Sequence, residues 1–236
     1  MSVAENIARI RERVVRAGGR AGVSADSVTL MAVSKTVGPE RIRQAYEAGL
    51  RVFGENRVQE FSEKAPALAD LTDARWHLIG HLQSNKAKKA VELFQAVDSV
   101  DSLRLAEKLN QAAEQLDRTF SVLIEIKTGN EASKSGIPAD SPELEDLLRA
   151  AASLEHLQVR GLMTVPPFTE NPEGARPYFR RLRELREVIA ARKVPRIEMD
   201  VLSMGMSHDF EVAVEEGSTC VRVGSSIFGA RDYTKT

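Results

Sequence analysis

Short apolar runs alternate with longer stretches of helical periodicity along this chain, and that alternation restricts its fold more than any other feature. The runs fall at Val28–Val33, Arg51–Phe53, Arg75–Ile79, Gln95–Val97, Phe120–Ile126, Leu157–Met163, Glu198–Leu202 and Thr219–Val223. Between them, Leu105, Leu109, Ala112 and Leu116 share one helical face, as do Phe179, Leu182, Leu185 and Ile189 within Pro177–Arg192. Strands that alternate with helices imply a parallel sheet with helical crossovers. Eight such units in 236 residues is the arithmetic of a closed (β/α)8 barrel of TIM type, in the α/β class. The rival is an open doubly wound sheet, which normally carries a glycine-rich turn after its first strand. Here Ser34-Lys35-Thr36-Val37 stands at that place.

An extra helix precedes the first strand. Ser2 and Glu5 have capping-box spacing, Val3, Ile7, Ile10 and Val14 share a face, and Gly18 and Gly19 are expected to stop it. No linker divides the chain, so residues 1–236 read as one domain. Thr128–Pro142 and Val165–Pro177 read as irregular stretches that follow strands, which places them at the catalytic mouth.

Composition removes several function classes. The formal net charge is -1, which gives no field for nucleic acid or acidic lipid, and 5% aromatics argue against a base-stacking surface. One cysteine excludes an internal disulfide and suits a reducing compartment. No signal peptide or bilayer-length apolar run is visible, so the expected setting is the cytoplasm.

Lys35 closes the first strand and shares its alternation with Met31 and Val33, which directs it into a barrel mouth. A lysine desolvated there loses its proton more readily and can condense with an aldehyde. The plainer reading, a surface lysine opening a loop, is equally open on position alone. Leu202-Ser203-Met204-Gly205-Met206-Ser207 follows the seventh strand, and Arg222-Val223-Gly224-Ser225-Ser226 closes the eighth. Phosphate sites of this fold are often built from these two turns. Gly205 and Gly224 would admit phosphate oxygens, and Ser207 would cap the following helix. The first and eighth strands are neighbours in a closed barrel, so such a phosphate lies within a ligand's length of Lys35. That is the requirement of an aldehyde cofactor with a phosphate handle. Arg222 should point inward, and a barrel ion pair with Glu125 or Asp200 is its plainer role. His77 and His81 lie in or beside a strand with no third ligand, so no metal is expected, and nucleophile-elbow and P-loop patterns are absent.

The motifs AVSKT (Ala32–Thr36), FGENRVQE (Phe53–Glu60), WHLIGHLQSNK (Trp76–Lys86), GLMT (Gly161–Thr164), LSMGMSHDF (Leu202–Phe210) and RVGSSIFG (Arg222–Gly229) occur in this order. With them the chain resembles the pyridoxal phosphate homeostasis protein family, whose barrel is related to the N-terminal domain of bacterial alanine racemase. The resemblance implies a fold-type III pyridoxal 5′-phosphate (PLP) protein. It implies a Schiff base on Lys35, Asn56 lining the cofactor, phosphate contacts from Ser207, Gly224 and Ser225, and Arg222 facing the pyridine nitrogen. Ser225 stands where threonine is common, with the hydroxyl retained. Met163, Ser203 and His81 match motif positions without a defined role. It further implies a monomeric carrier in vitamin B6 and amino-acid balance, with PLP-dependent apo-enzymes as recipients and without robust turnover. A racemase needs a second acid/base on the opposite face, which the related racemase draws as a tyrosine from its partner's additional β domain. Tyr46 and Tyr178 fall in expected helices and Tyr233 near the end of the chain, none an evident mouth residue. A PLP-dependent amino-acid racemase and a Schiff-base lyase acting on a phosphorylated sugar are the competing functions.

Overall fold

The computed structural model describes residues 1–129 and 135–229. Its strands are β1 (Thr29–Val33), β2 (Val52–Glu55), β3 (Arg75–Leu78), β4 (Ala96–Val100), β5 (Phe120–Lys127), β6 (Ile137–Pro138), β7 (Leu157–Met163), β8 (Ile197–Ser203) and β9 (Cys220–Val223). The helices are α1 (Val3–Ala21), α2 (Pro39–Glu47), α3 (Val58–Lys64), α4 (Ala87–Leu93), α5 (Leu103–Gln115), α6 (Pro142–Ala151), α7 (Arg176–Ala191), α8 (Phe210–Glu215) and α9 (Ser225–Phe228). The sheet runs β4-β3-β2-β1-β9-β8-β7-β5, and a β4–β5 pairing closes it into an eight-stranded parallel barrel. β6 stands outside this ring as a two-residue addition to β5, within the stretch expected to be irregular.

Alternation along the strands sorts the side chains into two sets. Ala32, Phe53, Leu78, Val97, Val122, Ile124, Leu162, Leu202, Val221 and Val223 join the apolar layer beneath the helices. Phe53, Trp76, Phe61 and Phe94 form a ring chain in that layer, with successive centroids 4.9, 4.7 and 4.9 Å apart. Met31, Asp98, Glu125, Met163, Ser203 and Arg222 are buried but outside that layer, on the opposite alternation, so they fill the barrel. β2 and β4 run further than apolarity indicates, through Glu55 and Val100. Their polar ends are satisfied: Glu55 binds Ser34 and Lys64, and Asp98 binds His77.

The capping box at Ser2 and Glu5 is formed, with N···O distances of 2.8 and 3.2 Å. Gly18 and Gly19 do not stop α1, contrary to expectation. The helix continues to Ala21 and ends on Gly22, whose φ of 68° is the left-handed cap conformation. Gly18 is needed for space instead, because a Cβ there would sit 2.6 Å from the Val23 carbonyl oxygen. α1 packs against α8 and α9, and buried Asn6 donates to the Ile227 carbonyl at 2.9 Å. Among the described residues no helix is long and apolar enough to cross a membrane.

Candidate functional site

The C-terminal ends of the barrel strands collect nearly all the residues singled out above. Half-buried Lys35 follows β1 in the turn Ser34–Val37, which is closed by a 3.0 Å Val37 N–H to Ser34 carbonyl bond. Asn56 follows β2 on the same alternation as Gly54, where a Cβ would lie 2.9 Å from the Met31 sulfur inside the barrel. On β9, Arg222 stands opposite Met31 of β1. Its guanidinium donates to the Ser203 hydroxyl and to the Thr164 carbonyl, both at 2.7 Å. Its hydrogen-bond partners are therefore neutral oxygens and not the carboxylates anticipated. Asp200 pairs with Arg160 instead, in the middle of β8. Met163 is fully buried and registers with Glu125 on β5 and Ser203 on β8.

The turns after β8 and β9 meet, though by a different contact from the one expected. Ser207 does not cap α8; Asp209 occupies the cap position, and its carboxylate accepts from Met206 N–H at 2.7 Å. The Ser207 hydroxyl instead accepts from the Ser226 N–H at 3.4 Å, across to the first turn of α9. Gly205 has a φ of 92°, and a Cβ there would lie 2.5 Å from the Ala213 Cβ. Glycine at 205 therefore serves the seating of α8. Gly224 faces β1, since a Cβ on it would lie 3.3 Å from the Val33 carbonyl oxygen. Exposed Ser225 opens α9 beside it.

The remaining candidates divide between the two ends of the barrel. His81 is exposed beyond β3 and pairs with Asp101 at 3.0 Å, whereas His77 pairs with Asp98 at 3.1 Å within the barrel. Among the described residues no group of three His, Cys, Asp or Glu could hold a metal ion. Tyr46 binds Asp73 close to the start of β3, away from the mouth. Tyr178, near the start of α7, lies 3.9 Å from the position a Gly129 Cβ would take, beside the turn after β5. Tyr233 and Lys134 lie outside the described residues.

Sequence reasoning underused Glu125 and missed Thr164. Burial, reinforced by Asp101, pushes the Glu125 carboxyl up to about 7 against the pull of Arg222 and His81. Thr164 spends its hydroxyl on the Ile126 carbonyl at 2.7 Å and its own carbonyl on Arg222, tying β5, β7 and β9 together. Its place in the GLMT motif was the available signal.

A separate cavity of about 490 Å³ lies toward the opposite end, lined among others by Thr29, Val52, Arg75, His77, Asp98 and Arg160. Neither Lys35 nor the turns after β8 and β9 border it. In barrels of this type chemistry sits at the C-terminal ends of the strands, so the mouth is the better candidate. The mouth presents a half-buried lysine, a fixed buried guanidinium and two joined turns, a donor set that fits an aldehyde bearing a phosphate.

Comparison with known proteins agrees with this fold. Residues 2–232 match the family described as alanine racemase, N-terminal domain. A pyridoxal phosphate homeostasis protein of Aquifex aeolicus is 45% identical over 233 residues, covering 99% of this chain and all of the relative. The chain thus belongs to the alanine racemase N-terminal domain family and, within it, to the pyridoxal phosphate homeostasis proteins. The structure of PipY from Synechococcus elongatus with PLP bound superimposes with a TM-score of 0.84 at 38% identity, covering 97% of this chain and all of PipY. An alanine racemase of Corynebacterium glutamicum shares the fold, with a TM-score of 0.72 at 18% identity, over 99% of this chain and 62% of the racemase.

Proposed function

We propose that this chain binds PLP as a Schiff base on Lys35 and serves intracellular vitamin B6 and amino-acid balance as a carrier without robust turnover. The observation that carries the reading is the joining of three pieces: Lys35 stands in the turn after β1, Gly224, just past β9, abuts β1, and Ser207 reaches Ser226 across the last two turns. The homeostasis name of the relatives and the PLP bound in PipY support it. PLP supplies an aldehyde for primary amines and an electron-withdrawing ring. Lys35 offers the amine. Ser207, Gly224 and Ser225 surround the phosphate. Arg222, locked by Ser203 and Thr164, presents a permanent donor to the ring nitrogen and keeps it from taking a proton. Asn56, Met163 and His81 complete the surroundings. PLP-dependent apo-enzymes are the recipients. Borohydride reduction of the loaded protein followed by peptide mass spectrometry tests the attachment. A pyridoxyl group on Lys35 is expected; one on Lys127 or Lys134 would overturn the reading.

One observation favours a second function, amino-acid racemisation. Glu125 is a buried carboxyl on the inward alternation of β5, with its pKa pushed up to about 7, the range suited to a general acid/base. Deuterium exchange at Cα in heavy water, followed by chiral chromatography, separates the two. The carrier reading expects negligible exchange. Rapid exchange with loss of configuration, abolished by Lys35→Ala and by Glu125→Gln, would make the chain an enzyme.

A further inference from the structure

The turn that carries Lys35 is held from behind by a buried ammonium. Lys64, the last residue of α3, has a side chain only 11% exposed. Its Nζ donates to the Ser34 carbonyl at 3.0 Å, to both Glu55 oxygens at 2.9 and 3.0 Å, and to Glu60 Oε1 at 2.8 Å. The same Glu60 oxygen accepts the Thr36 N–H at 2.6 Å, and Glu55 Oε1 accepts the Ser34 hydroxyl at 2.7 Å. The residues immediately before and after Lys35 are therefore both fixed to one ion cluster. Thr36 requires such fixing, because its φ of 62° lies in the left-handed region that a β-branched residue avoids. Burial of a lysine is itself unfavourable unless every proton finds an acceptor, and here the ammonium meets two carboxylates, the Ser34 carbonyl and, at 3.5 Å, the Val37 carbonyl.

We infer that Lys64 is a positioning residue for Lys35: through Ser34, Glu55 and Glu60 it holds the turn in the one conformation that aims the Lys35 side chain into the mouth. This rests on Lys35 being the attachment point. Lys64 does not touch the cofactor in this arrangement. It acts on the direction from which the Lys35 amine approaches the aldehyde, and near-attack geometry is sensitive to such direction. The cluster joins the turn after β1 to the end of β2 and to α3, on the side of the strands away from the barrel interior. A purely structural ion cluster would stabilise the fold and leave the geometry of bound PLP untouched, and this is the distinction to test.

Lys64→Cys removes the ammonium, and aminoethylation with 2-bromoethylamine restores it one atom type removed. Cys220, the chain's single cysteine, is buried with its thiol pushed up to about 12 by that burial, so reaction is confined to the introduced thiol. The full-length protein is titrated with PLP, following the visible absorbance and the induced circular dichroism of the bound cofactor. Lys64→Cys is expected to bind about tenfold more weakly, with an altered dichroic band at saturation, and both are expected to return on aminoethylation. Unchanged affinity and band shape, or a loss that aminoethylation does not restore, overturns the inference. Should Lys64→Cys fail to fold, Glu60→Gln decides, since it weakens the hold on Thr36 while leaving the Lys64–Glu55 pair. A changed dichroic band supports the inference, and an unchanged one overturns it. Acylation of Lys35 by acetic anhydride in cofactor-free protein, referenced to Lys127, reports the same turn without PLP. A Lys35 rate that differs between wild type and Lys64→Cys supports the positioning role even where reduction of the loaded wild type labels another lysine; an identical rate counts against it.

Discussion

Glu125 carries the largest consequence of any single inward side chain. Its folded-state pKa of about 7 lies above the ordinary value of 4.5, with burial the main cause. The folded protein therefore holds this proton more tightly than the unfolded chain does. The associated stability is full below about pH 4.5, declines as pH rises, and is gone above about pH 7. The shift corresponds to on the order of 3 kcal/mol. Glu125→Gln should accordingly be more stable than wild type at pH 8, with the advantage vanishing near pH 4.5. Urea denaturation across that range measures it, and a pH-independent difference would refute the argument. At the mouth turns, Ser207→Ala removes one hydrogen bond to a charged group and should weaken PLP binding by about 1–2 kcal/mol. Gly224→Asp should weaken it far more, adding a negative charge to the turn and pressing its Cβ against Val33. Unchanged titrations in Gly224→Asp with an intact circular dichroism spectrum would place the phosphate elsewhere.

At the scale of elements, the ring chain beneath α3 and α4 gives a measurable expectation. Phe61 on α3 touches both Trp76 and Phe94 and is almost fully buried. Phe61→Ala should cost about 3–5 kcal/mol of stability, read from the shift of the denaturation midpoint. A cost below about 1 kcal/mol would mean that α3 is not anchored by this contact. α3 also carries Lys64, so a loosened α3 is expected to weaken PLP binding as well. Which elements exist and how they alternate was legible in sequence, because apolar runs such as Leu157–Met163 are strands with no competing period. The ends of β2 and β4 were not, since Glu55 and Asp98 are polar and find their partners, Ser34 and Lys64 for the one and His77 for the other, on other elements of the fold. The same reason hid the true cap of α8. Ser207 has the chemistry of a cap, but the position falls to Asp209 once Ser207 is drawn to Ser226. The inward place of Arg222 and the contact of Gly224 with β1 were legible by alternation and by the adjacency that barrel closure imposes, whereas Lys35 lies in the turn beyond β1, where strand alternation no longer applies. Thr164 was not, because its service is a backbone carbonyl, which any residue possesses.

For the whole molecule, one seam joins the first strand to the last. β1 pairs with β9, and α1 lies over α8 and α9. Asn6 reaches Ile227 across 221 positions of sequence. Asn6→Leu strands the buried Ile227 carbonyl without a donor and should destabilise the barrel by about 1–3 kcal/mol. Equal stability of the two proteins in urea would show that the seam does not need this bond. The position of the seam also has a consequence for a chain made from its N-terminus on the ribosome. Lys35 emerges long before β9 and the turn after it, which complete its surroundings. Until β9 follows, the Lys35 amine exists without those neighbours, and the β1–β9 pairing is among the most non-local in the fold, the kind that forms slowly. A nascent chain stalled before Cys220 would therefore present this lysine with neither β9 nor the turn after it alongside.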